Sequence, residues 1–227
     1  MSGVLEKRKA RCLELSSGVG AFTNDLAICE RVLALPQKLV AIFGGNGIAE
    51  NSPYCRAARK LAGLLSKSGL SVVTGGGGGI MSAGNAGAKE CNSGIPTYGL
   101  RVECIVCENI EETPFLDKEH IFDFKTLSVR LLTLIGGCDA VVFFPGGFGT
   151  LEETFCLLVR LKLGMIASKP VYFYNSEFWS GLLQWLSSPV LGCGAIKKQD
   201  LELIKMEDDI KKIASGIIGA LNGISKD

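Results

Sequence analysis

Residues 138–164 read CDAVVFFPGGFGTLEETFCLLVRLKLG, a short apolar run that leaves through a proline and three glycines into a segment with helical apolar spacing. An uninterrupted apolar run with no polar alternation is the mark of a strand buried on both faces, as in a parallel sheet. The segment beginning at Thr150 then supplies the crossover helix. The same strand, glycine turn and helix recur upstream. KLVAIFGGNG (38–47) precedes SPYCRAARKLAGLLSKSG (52–69), which has Ser52 as N-cap, Pro53 at the first helical position and Gly69 past its end. LSVVTGGGGG (70–79) precedes IMSAGNAGAKECN (80–92). IPTYGLRVE (95–103) is a third strand, and a loop at 104–118 leads to a helix over 122–137. KPVYFYN (169–175) is a fifth strand, and helices over 176–188 and 200–222 follow it. Alternating strands and helices predict an α/β fold, a doubly wound parallel sheet covered on both faces in three layers. Residues 1–36 are read as a helical N-terminal extension and 37–227 as the domain proper.

Composition narrows the function. Lys+Arg number 24 against 23 for Asp+Glu, so no field favours a nucleic acid polymer or an anionic membrane. No apolar stretch is long enough to span a bilayer, and the N-terminal residues lack the continuous apolar segment of a secretory signal. Nine cysteines scattered along the chain fit reduced thiols and a cytoplasmic setting better than a disulfide scaffold. Cys104 and Cys107 form a C-x-x-C, but a zinc site needs a second ligand pair and a redox pair normally opens a helix. Packing is the preferred reading, with no metal or cofactor expected.

The chemistry lies in the glycines. Turns at 43–47, 74–79 and 145–150 all follow strands, and in a parallel sheet they share the edge beyond the strands' carboxyl ends, where such folds bind ligands. Glycine lets a ligand approach the backbone, and each following helix offers unpaired N–H groups and a positive dipole end. An anion such as a phosphate suits that edge. No G-x-x-x-x-G-K-[ST] or G-x-G-x-x-G is present, which argues against P-loop and dinucleotide sites. Gly44, Gly45, Gly75, Gly76, Gly77, Met81, Gly146, Gly147, Gly149 and Thr150 are the candidate binding residues. The carboxylates behind the last turn have two readings. Thr150 and Glu153 have the spacing of a capping box; alternatively Glu153 faces a bound ligand, with Glu152 towards solvent.

PGGFGTLEE (145–153) fits the pattern P-G-G-x-G-T-x-x-E, and TGGGGGIMSAGNAGA (74–88) resembles a second glycine signature, G-G-G-x-x-G-x-M. Together they resemble the Lonely Guy (LOG) family, often labelled possible lysine decarboxylases. The resemblance runs from about Lys38 to Trp185. It implies a Rossmann-like homodimer that hydrolyses the N-glycosidic bond of nucleoside 5′-monophosphates, either a cytokinin ribotide or an ordinary purine or pyrimidine nucleotide. It further implies a catalytic pair of Arg130 and Glu153. The sequence departs from the family in having Leu131 where a lysine follows the arginine, Asn46 in FGGN where Gly-Ser is usual, and a poor match over 102–120. A non-catalytic nucleotide-binding or sensor protein of the same fold is the alternative. The helix at 120–137 and the one after the last glycine turn are the expected dimer surfaces.

Overall fold

The computed structural model describes residues 18–103 and 114–223, so Cys104 and Cys107 lie outside the described residues. Among those described, seven strands form one sheet in the order β4-β3-β2-β1-β5-β6-β7, every pair parallel. They are β1 (Leu39–Phe43), β2 (Ser71–Thr74), β3 (Tyr98–Val102), β4 (Ile121–Phe124), β5 (Ala140–Phe143), β6 (Val171–Tyr174) and β7 (Lys205–Glu207). The helices are α1 (Gly18–Leu33), α2 (Pro53–Lys67), α3 (Ile80–Glu90), α4 (Leu127–Gly137), α5 (Phe148–Lys162), α6 (Ser176–Trp185) and α7 (Ile210–Asn222).

Strand side chains alternate between two cores. Val40, Ile42, Val72 and Val142 pack with Leu61 and Leu65 of α2 and Ile213 and Ile217 of α7. Leu39, Ala41, Phe43, Val141 and Phe143 face the other way, towards Leu131 and Leu134 of α4, Leu157 of α5 and Trp179 of α6. The chain order reverses between β1 and β5, which lie side by side with Phe43 opposite Phe143. That switch point is where an open α/β sheet leaves a crevice, and both glycine turns flanking it open there.

Three expectations are corrected. The segment 122–137 is not one helix: residues 121–124 form edge strand β4, with Phe122 and Phe124 buried and Asp123 exposed, and α4 begins at Leu127. Likewise 200–222 divides into a 3-10 turn (Lys198–Leu203), edge strand β7 and helix α7. Helix α5 starts at Phe148 with Gly147 as N-cap, so Thr150 lies inside the first turn and the capping box with Glu153 does not form. The glycine turn already has helical geometry before the first good capping side chain is reached.

Candidate functional site

Direct bonds join the three glycine turns at the switch point. Gly45 N–H donates to the Pro145 carbonyl (2.9 Å), and Ile80 N–H donates to the Gly45 carbonyl (3.2 Å). The Asn46 side-chain oxygen accepts the Gly78 N–H (2.6 Å). Gly79 has φ +57°, and a Cβ there would run into the carbonyls of Gly45 and Asn46, so glycine is required by both torsion and space. A Cβ on Gly44 would lie 2.7 Å from the Ile80 side chain, and one on Gly45 2.9 Å from Ile48.

Beneath the second turn sits a buried polar relay. Thr74 Oγ1 accepts the Gly76 N–H (3.0 Å) and donates to Asn85 Oδ1 (2.7 Å), while Asn85 Nδ2 donates to Thr97 Oγ1 (2.8 Å) and the Tyr98 carbonyl (3.3 Å). Every member is satisfied, so the relay fixes the turn rather than straining it. Asn46 and Asn85 escape a search for glycines and charges; the signal for Asn46 is its place inside FGGNG, and Asn85 leaves none.

Arg130 reaches this edge from the first turn of α4. Its Nε donates to the Leu100 carbonyl (2.6 Å), and its guanidinium lies where a Cβ on Gly75 would be. Met81 closes the other side of Gly75, its sulfur 2.8 Å from that Cβ position and its methyl 2.7 Å from that of Gly77. Gly76 has φ +71° and rests on the stem of Arg101, which is paired with Asp123. Position 131, by contrast, points inward: Leu131 is buried in the core.

Across the crevice the third turn is bare. Gly147, Phe148 and Gly149 are exposed, and a Cβ on Gly147 or Gly149 would meet nothing within 4 Å. The first N–H groups of α5 have no intrahelical acceptor, so they point a positive end at this space. Thr150 is buried, with its side chain against Gly146. Glu153 is half-buried and Glu152 exposed. Burial pushes the Glu153 carboxyl up to about 7; Arg130 opposes that rise and Glu152 adds to it. Burial likewise lowers the Arg130 guanidinium, with Glu153 and then Glu152 holding it up. Arg130 and Glu153 thus feel each other's charge, yet among the described residues no ion pair within 4.0 Å joins them.

An open groove of about 600 Å³ lies further along the sheet, lined by Arg56, Lys60, Tyr174, Glu207, Asp208 and Asp209. Its three carboxylates disfavour an anion, and Asp208 and Asp209 are engaged in bonding the backbone N–H groups of Ser176 and Lys211. Among the described residues no helix is long and apolar enough to cross a membrane.

Residues 81–217 match the family model described as possible lysine decarboxylase. The chain is 26% identical over 200 residues to a bifunctional cytokinin biosynthesis protein of Fusarium pseudograminearum, an alignment covering 82% of this chain but 40% of that protein. It is 29% identical over 157 residues to the cytokinin riboside 5′-monophosphate phosphoribohydrolase LOG2 of Arabidopsis thaliana, covering 66% of this chain and 69% of the relative. In three dimensions it is similar to the molybdenum cofactor carrier protein of Chlamydomonas reinhardtii, with a TM-score of 0.55 at 22% identity, over 82% of this chain and 97% of that one. At that identity the likeness speaks for the fold alone.

Proposed function

The chain belongs to the possible lysine decarboxylase family, to which the Lonely Guy proteins belong, and from that premise we propose that it hydrolyses the N-glycosidic bond of a nucleoside 5′-monophosphate, releasing free base and ribose 5-phosphate. The observation that carries this reading is the pairing of a bare glycine turn at a helix N-terminus with a half-buried carboxylate, Glu153, whose proton is held to about 7. In this reading the N–H groups of residues 146–150 take the phosphate, with the 75–77 turn and Met81 beside it. Arg130, planar and permanently charged, holds the phosphate or the ribose. Cleavage passes through an oxocarbenium-like ribose, which the Glu153 carboxylate stabilises while orienting water. The decarboxylase label gains no support from this set of side chains.

Incubation with AMP, GMP, CMP, UMP and a cytokinin ribotide, followed by assay of free base, tests the proposal. Tight nucleotide binding without base release across that panel would favour a non-catalytic binding or sensor protein, the reading motivated by Leu131 in place of the family's lysine.

The phosphate turn has its own test. Gly149→Val adds a side chain where the fold leaves open space, and valine is no worse a helix former than glycine, so helix propensity adds no stability cost. The branched side chain would stand over the phosphate N–H groups. Nucleotide affinity measured by calorimetry is expected to fall at least about tenfold with the fold intact; unchanged affinity would make the turn purely structural.

The same reading includes a homodimer. Helix α5 carries exposed Phe148, Phe155 and Val159, Leu163 is exposed at its C-cap, and α4 adds Leu127 and Leu132. An apolar stripe of this extent suits a second copy better than water, and it is continuous with the phosphate turn through Phe148, 93% exposed. Sedimentation at micromolar concentration is expected to give twice the 24.1 kDa chain mass; a monomer would contradict the dimer and leave the chemistry standing.

A further inference from the structure

We propose that Asp25, on the N-terminal helix α1, is a positioning residue that caps α4 from outside and thereby fixes Arg130 at the glycine edge. Helix α4 lacks a cap of its own, since the Thr126 side chain makes no capping bond to it. That hydroxyl instead donates to Asp25 Oδ2 (2.7 Å), and so does the Thr126 N–H (2.7 Å). The Lys125 N–H donates to Asp25 Oδ1 (2.9 Å), with Asn24 Nδ2 at 3.5 Å from the same oxygen. Asp25 is fully buried, so these donors take the place of water around a carboxylate seated at the positive end of α4.

The link to Arg130 is short. Thr126, held by Asp25, accepts the Arg130 N–H through its own carbonyl (3.3 Å). The Arg130 side chain then bonds Leu100 and lies on Gly75. The far end of α4 is closed by Lys169, whose ammonium donates to the carbonyls of Ile135 and Gly136 (3.0 and 3.4 Å). With both ends fixed, the phase of the first turn is set, and a guanidinium must be placed within fractions of an ångström to act. Helix α1 precedes the part of the chain that the family model matches, so family membership assigns it no role.

The proposal rests on the hydrolase reading only for its effect on turnover, and it is tested by a quantity independent of that reading. Arg130 from α4 and Glu152 from α5 are the charges that act on Glu153, so the Glu153 titration, followed by carboxyl carbon NMR, reports where Arg130 stands. Asp25→Asn retains the shape but turns an N–H donor towards one of the backbone donors. It is expected to raise the Glu153 midpoint by about half a unit or more, part of the ~1–3 units that an adjacent opposite charge is worth. Base release is expected to fall about tenfold. Leu65→Ala, in the opposite core, serves as a destabilised control that leaves the midpoint in place. If Asp25→Asn does not fold, Thr126→Val removes a single donor and is expected to move the midpoint the same way by less. An unmoved midpoint in the foldable variant, or an equal shift in Leu65→Ala, overturns the proposal. If the wild type cleaves no nucleotide, the hydrolase reading fails and the titration still decides this one.

Discussion

Glu153→Gln is expected to lower turnover at least about a hundredfold, the scale of one lost acid–base or electrostatic group, with a melting temperature unchanged or higher. A glutamate serving as a cap would tolerate the amide. The α5 N-cap is Gly147, so Glu153 has no capping bond to lose. The stability prediction follows from the titration. The folded carboxyl holds its proton to about 7, against 4.5 for an ordinary glutamate. Between those values the unfolded chain has released a proton that the native state keeps, so native stability falls as pH rises across the window. Glutamine has no such loss, and at pH 8 the variant should melt at or above the wild type. Nucleotide binding persists, because the phosphate turn is untouched, and Glu152→Gln, on the exposed side of the helix, does little. A capable enzyme with Gln at position 153 would remove the carboxylate from the mechanism.

Arg130→Met is expected to cost still more at neutral pH, about a thousandfold in kcat/KM, because two losses compound. The first is the fixed positive charge on the phosphate or ribose, a contribution of about a hundredfold when one such group is removed. The second acts through Glu153: Arg130 holds its carboxyl down against burial, so without the arginine the carboxyl titrates above 7 and is mostly protonated at neutrality. Because kcat/KM reports the free enzyme, the wild-type profile should climb with pH through about 7, and the variant's climb should begin at higher pH. Part of its deficit is therefore recovered at pH 9. A deficit independent of pH would mean that the two groups are not coupled. The variants Arg130→Met and Glu153→Gln, combined, should lose less than the product of their separate losses.

How much of this is legible in the chain depends on which residues a segment meets. Strands β1, β2, β3, β5 and β6 can be read because all five lie inside the sheet and most show near-continuous apolar runs. The edge strands β4 and β7 each have one neighbour. In β4, Asp123 interrupts two phenylalanines, and the four residues merge into the helical spacing that follows; β7 is Lys-Met-Glu, three residues with no apolar run at all. The α5 start is misread because Thr-x-x-Glu is a good capping box, whereas the turn bonded to Gly45 sets the helix three residues earlier. The glycine turns can be singled out from motif and spacing and Arg130 only through the family resemblance, and the fold brings them to one edge. Asp25 is invisible to such a reading, since its partners Lys125 and Thr126 lie about a hundred residues away.

The central claim is tested most directly by following free base and ribose 5-phosphate together when the wild type and Glu153→Gln are given the nucleotide panel side by side. The account predicts that the wild type releases both products in equal amounts from at least one nucleotide, and that Glu153→Gln binds that nucleotide but releases about a hundredfold less. Nucleotide bound by the wild type with no base released from any member of the panel, or equal release by both proteins, would contradict it.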